Sequence, residues 1–149
     1  MQLNLPPYKF TIKKGGTSNE IFDAFRKKYV VLTPEEWVRQ HFLRFLTEEK
    51  GYPASLIAVE KGLLINGKPR RFDAVAYNRM GEPLVLMEFK ATSVKISQKV
   101  FEQISTYNQI LKVRYLIISN GLKHYCCEID FSSQNIHFIQ NIPEYGKLK

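Results

Sequence analysis

Asp73, Glu88 and Lys90 are the residues of this chain whose types and spacing could hold a divalent cation and prepare a water beside it. Glu88 and Lys90 flank Phe89, and the two-residue period of a strand puts both on one side with Phe89 on the other. Asn66-Gly67 reads as a two-residue hairpin loop; Ile65 then faces Lys68, and Asp73 lies opposite Glu60. With Arg79 to Glu82 as a four-residue loop, Asn78 faces Pro83 and Asp73 lies opposite Glu88 as well. Changing either loop by an even number of residues keeps these side chains on one face and only shifts the row. Carboxylates facing one another repel, and acid oxygens plus water suit Mg²⁺, which prefers hard oxygen ligands and keeps part of its hydration. The same residues also read as a surface ion pair of Glu88 with Lys90 at a strand end, with Asp73 a hairpin residue paired to Arg71.

The elements that must position them follow from periodicity and turn chemistry. Thr33-Pro34-Glu35-Glu36 supplies an N-cap, a proline at N1 and an acid at N3, a capping box that opens a helix over 34–50. Trp37, Val38, His41, Phe42, Phe45 and Leu46 share one face of it, and Gly51 with Pro53 stops it. The capping box by itself accounts for Glu36; a metal role for it is the alternative. Strands follow over 56–65, 70–77 and 84–89, an antiparallel meander. Phe72, Ala74 and Ala76 are expected on the face of the second strand opposite Asp73, and Val85, Met87 and Phe89 on one face of the third. A helix over 95–112 carries Ile96, Val100, Ile104, Ile110 and Leu111 at helical spacing. Strands over 115–119, 124–129 and 134–139 complete the chain. The order α-β-β-β-α-β predicts an α/β (α+β) fold, a central mixed sheet flanked by helices. The first 32 residues read as an N-terminal arm with a strand over 8–13, a Gly15-Gly16 turn and a stretch 20–32 that periodicity leaves open between helix and strand.

Gln103 and Tyr107 lie four residues apart on the helical stripe that carries Val100 and Ile110. They read either as a satisfied amide and a tyrosine reaching water, or as groups at the edge of the acidic row that contact phosphate or the attacking water. The 149 residues hold 22 Lys plus Arg against 14 Asp plus Glu, a formal charge of +8. That excess favours a polyanionic partner, chiefly nucleic acid. Lys68, Arg70, Arg71, Lys95 and Lys99 could meet phosphates or be solvated surface charges. A chain of this length buries enough surface to fold without disulfide or metal, and its composition excludes a disordered, collagenous or coiled-coil protein. One domain is expected over 1–149. Cys126 and Cys127 are adjacent on a strand, point to opposite faces and do not pair with each other. With neither a signal-peptide pattern nor an apolar run long enough for a bilayer, a cytoplasmic protein without membrane contact is expected.

Asp73, Met87-Glu88-Phe89-Lys90 and Gln103-x-x-x-Tyr107 resemble the PD-(D/E)XK nuclease superfamily, in its Gln-x-x-x-Tyr branch. Together with 32–40, Gly51-Tyr52-Pro53, Arg71-Phe72-Asp73 and Asn120-Gly121, they resemble the N-terminal nuclease domain of type I restriction endonuclease R subunits over most of the chain. The resemblance implies a restriction-endonuclease-like core and Mg²⁺-dependent phosphodiester hydrolysis of DNA, with Mn²⁺ as a substitute. Asp73 and Glu88 would hold the metal, with the Phe89 carbonyl, Glu36 and Glu60 as further candidates. Lys90 would orient the attacking water, and Gln103 and Tyr107 would assist. Phe72 stands where the superfamily name has proline. No G-x-x-x-x-G-K-[ST] phosphate loop occurs in these residues, so a targeting or motor function would come from a partner. The alternative is a noncatalytic module that binds nucleic acid or protein on the same fold.

Overall fold

The computed structural model describes residues 2–149, with the side chains of Tyr107, Gln109 and Ile110 outside the described set. An antiparallel three-stranded sheet, β1 (Ile12–Lys14), β2 (Asn19–Asp23) and β3 (Lys28–Val31), comes first. It settles the open N-terminal stretch as a hairpin and shortens the expected first strand to its end. Helix α1 (Pro34–Glu49) leads into β4 (Ile57–Ile65), β5 (Lys68–Tyr77) and β6 (Pro83–Phe89). Helix α2 (Gln98–Leu111) then crosses to β7 (Tyr115–Ser119), β8 (His124–Asp130) and β9 (Asn135–Ile139). The second sheet is six-stranded in the order β4-β5-β6-β7-β8-β9, and only β6 and β7 run parallel. This is the mixed sheet with flanking helices that the element order implies.

Helix α1 starts as its sequence dictates. Thr33 Oγ1 accepts the Glu36 N–H at 3.1 Å, and Pro34 occupies the first turn. Its Val38, Phe42 and Leu46 pack on Ala74, Ala76, Val85, Met87 and Phe89, one face of the sheet. On the other face Ile104 of α2, flanked by Val100 and Leu111, packs on Val75, Leu86, Leu116 and Ile118. Helix α2 begins three residues later than the apolar spacing suggests. Ser97, held extended at φ −101° and ψ 164°, takes the N-cap and leaves Lys95 and Ile96 in the preceding loop. Asn108, fully buried, bonds both the N–H and the carbonyl of Val113 and so fixes the turn into β7. Cys126 and Cys127 are free and lie in the cores on opposite faces of the sheet. Among the described residues no helix is long and apolar enough to cross a membrane.

The β4–β5 register is the one Asn66-Gly67 implies, from Ile65 facing Lys68 to Ile57 facing Ala76. The β5–β6 register is also as expected over Ala74–Met87 to Ala76–Val85, but by a different route. Tyr77, rather than Asn78, faces Pro83, and a bulge after Ala76 restores the frame. A second irregularity changes which side chains share a face. Glu60 has φ +53°, and the β4–β5 ladder skips it and Asp73. Val59 and Ala74 before the break pack on the α1 side, whereas Phe72 and Ile65 beyond it pack on the α2 side. Phe72 therefore does not share a face with Ala74 and Ala76, because one left-handed residue turns the outer hairpin over.

The Asn120-Gly121 turn closes the end of the sheet where β6 stops. Asn120 accepts the N–H groups of Leu122 and Lys123 and donates to the Val94 carbonyl, while Gly121 sits at φ +85°. A Cβ at Gly121 would approach Leu3 Cδ2 to 2.8 Å and Val38 Cγ2 to 3.1 Å. Gly121→Ala is therefore expected to destabilise the fold by roughly 1–3 kcal/mol, read from urea unfolding.

Candidate active site

Strand β6 outlasts its ladder with β5. The last paired residues are Ala74 and Met87, and one step further the two carboxylates take over the bonding. Asp73 Oδ2 accepts the Phe89 N–H at 2.7 Å, and Glu88 Oε1 accepts the Asp73 N–H at 3.3 Å. The acids thereby satisfy backbone donors that have no strand partner at this point. On its other edge the chain is fixed by the Lys90 N–H donating to the Ser119 carbonyl at 2.9 Å. Asp73, Glu88 and Lys90 are all half-buried and line one cleft of about 770 Å³ together with Phe89, Ala91, Val94 and Val100.

Two negative groups this close, shielded from water, cannot both ionise freely. Burial, and then the Asp73 charge, push the Glu88 carboxyl from 4.5 up to about 8, against the pull of the Lys90 ammonium. A cation between them would remove that repulsion. The donors are hard carboxylate oxygens in a cleft with room for water, which fits Mg²⁺ and Mn²⁺.

Glu36 and Glu60 also line the cleft, but their charges are engaged elsewhere. Glu36, 5% exposed, is held by Arg39 through both carboxylate oxygens, by Arg26 at 2.8 Å and by Gln40 at 2.8 Å. Only half of the expected capping box forms, because the Glu36 carboxylate turns to these guanidinium groups instead of back to the Thr33 backbone. Glu60 lies opposite Asp73 in register, yet its carboxylate is 3.5 Å from Arg26, 3.5 Å from Arg39 and 3.7 Å from Arg71. Among the described residues no three His, Cys, Asp or Glu side chains converge on a metal position. The row of three carboxylates thus reduces to the pair Asp73 and Glu88, with the other acids neutralised in the cleft wall. Asp73 lies beside Glu88 and is not paired with Arg71.

Arg26 and Arg39 are cleft residues that the sequence reading passed over. Arg39 had a signal: with Glu36 and Gln40 it forms a polar stripe on a helix whose neighbouring positions are core. Arg26 had none, since it sits in the β2–β3 turn, where Asp23 accepts the Phe25 and Arg26 N–H groups and the Arg26 guanidinium. Gln103 is exposed, one turn beyond the cleft residue Val100, and does not line the cleft. The Tyr107 side chain lies outside the described residues. A second pocket of about 610 Å³ between α2 and β8–β9 is lined by Phe101, Tyr125, Ile136 and Phe138 with Glu102, and it lacks any pairing of acid and base.

A family model for the N terminus of type I restriction enzyme R proteins matches residues 34–143. A solved structure described as a fragment of an HsdR subunit of a type I restriction enzyme from Vibrio vulnificus YJ016 shares the fold, with a TM-score of 0.55 at 18% identity. The similarity covers 78% of this chain and 24% of that one, so this chain spans about a quarter of that chain's length. No curated protein matches the chain. Asp73, Glu88 and Lys90 fall inside the matched family region, whereas Arg26 precedes it.

Because the folded chain holds the Glu88 proton up to about 8 against 4.5 ordinarily, it binds more protons than the unfolded chain between those values. This contribution to stability is complete below the lower value and is lost as pH rises through the upper one. Without divalent metal, Glu88→Gln is expected to raise Tm over the parent chain more at about pH 9 than at about pH 5, read from thermal unfolding across pH. An equal difference at both ends would count against the repulsive pair.

Proposed function

The chain belongs to the family of type I restriction enzyme R protein N termini, and on that premise we propose that its cleft hydrolyses phosphodiester bonds in DNA with the help of Mg²⁺. The observation that carries this reading is the close pair Asp73 and Glu88 with Lys90 beside it, in a cleft open to solvent. The place of these residues within the family match supports it. So does the net charge of +8, which suits a polyanionic substrate.

Asp73 and Glu88, with the Phe89 carbonyl, would hold the metal. Mg²⁺, when bound, supplies Lewis-acid stabilisation of charge on the scissile phosphate and makes a bound water easier to ionise. Lys90, on the same side of β6 as Glu88, orients the attacking water and stabilises its hydroxide form through its ammonium charge. Water oxygen forms the new bond to phosphorus, one P–O ester bond breaks, and the leaving oxygen takes up a proton. Glu36 and Glu60, held by Arg26 and Arg39, shape the wall without competing for the cation. A targeting or motor partner would supply the choice of site.

Plasmid nicking with Mg²⁺ or Mn²⁺, run beside calorimetric metal titration, tests the roles separately. Asp73→Ala is expected to remove metal binding and cleavage together. Lys90→Ala is expected to slow cleavage by ~10²–10³-fold while metal affinity changes far less. Equal loss of both in Lys90→Ala would make that lysine structural, and cleavage that survives Asp73→Ala would overturn the reading.

A further inference from the structure

Arg26 stands in the turn between β2 and β3, ahead of the family match, and reaches the cleft wall with a side chain 19% exposed. Each of its guanidinium nitrogens faces a different acid. Nε donates to Asp23 Oδ2, Nη2 to Glu36 Oε1 at 2.8 Å, and Nη1 lies 3.5 Å from Glu60 Oε1. These acids come from β2, α1 and β4, so one side chain draws three segments around a single positive group. Glu35, exposed in the first turn of α1, is outside this set.

The arrangement is that of a cation position already filled. Asp23 is fully buried and Glu36 nearly so, and both depend on a counter-charge there. Arg39 and Arg71 are the other guanidinium groups that meet these acids among the described residues, so Asp23, Glu36 and Glu60 are matched by Arg26, Arg39 and Arg71. Without Arg26 the set would keep one uncompensated negative charge in the wall beside Asp73 and Glu88. Hard carboxylate oxygens in that state favour a divalent ion. A lysine would not replace Arg26, because an ammonium is a point charge and lacks the planar fork that meets three acids at once.

We propose that Arg26 limits the cleft to one divalent cation: its guanidinium occupies the place a second ion would take between Glu36 and Glu60, and leaves Asp73 and Glu88 as the open acids. Arg26 is thus a positioning residue, which acts on the acids of the wall and not on the reacting atoms. This inference rests on the hydrolytic reading for the first cation and adds what sets the number of cations.

Mn²⁺ titration of the full chain by calorimetry, with bound ions counted by electron paramagnetic resonance, tests it beside thermal unfolding and plasmid nicking. The parent is expected to bind an ion that Asp73→Ala removes. Arg26→Gln is expected to bind one ion more, which is lost again in Arg26→Gln/Glu36→Gln/Glu60→Gln while the first remains. Loosened packing alone would not be reversed by removing acids. Arg26→Lys, the milder change, is expected to show the additional ion at lower affinity and decides the matter if Arg26→Gln does not fold. No additional ion in the Arg26 variants that fold overturns the proposal, as does an additional ion that persists without Glu36 and Glu60. So does a second ion in the parent that Glu36→Gln/Glu60→Gln removes. If nicking still depends on Asp73 under those results, the hydrolytic reading stands without the proposal. An additional ion in Arg26→Gln that depends on Glu36 and Glu60, with no nicking by any chain, supports the role of Arg26 and removes the hydrolytic reading.

Discussion

Where β5 and β6 part, two backbone N–H groups lose their strand partners, and the carboxylates of Asp73 and Glu88 accept them. Each of these bonds replaces a lost ladder bond, worth about 0.5–1.5 kcal/mol to a neutral acceptor and about 1.5–3 kcal/mol to a charged one. This local exchange lets two acids sit half-buried and close together at a sheet end without unravelling it. It also fixes their direction, since each is tied to the backbone of the other's strand. Everything that defines the cleft is arranged around that parting: Phe89 packs into the α1 side, Lys90 is pinned to Ser119, and the hairpin beyond Asp73 turns over and runs on alone.

The parting would be untenable if every acid nearby carried a free charge. Glu36, Glu60 and Asp23 are instead balanced by Arg26, Arg39 and Arg71, so the wall beside the acid pair is close to neutral. A buried ion pair contributes little net stability, but removing one partner is costly because the other charge is stranded. Arg26 joins three elements in this way: the β2–β3 turn through Asp23, α1 through Glu36 and β4 through Glu60. The N-terminal sheet, outside the family match, is by this route part of the cleft.

Much of this was legible because it is local. The capping sequence at Thr33 fixed the start of α1, Asn66-Gly67 fixed the hairpin register, and the strand period put Glu88 and Lys90 on one side. The β5–β6 register was reached with a loop one residue too short and without the bulge, two departures that cancel over the core pairs. What was not legible depends on contacts between distant segments. The left-handed Glu60, which moves Phe72 to the α2 side, carries no mark in its own sequence, since nothing about a glutamate favours φ +53°. The turn of Glu36 away from its cap and the entry of Arg26 into the cleft require the folded N-terminal sheet. Gln103 shares a helical stripe with Val100, but the cleft ends one turn short of it.

On the proposed reading Asp73 and Glu88, and not Glu36 or Glu60, are the acids that hold a cation. Anomalous diffraction from crystals grown with Mn²⁺ tests it most directly. The expected result is a peak between the Asp73 and Glu88 carboxylates, with Glu36 still on Arg26 and Arg39. A peak coordinated by Glu36 or Glu60, or bound Mn²⁺ only at sites away from the cleft, would contradict it.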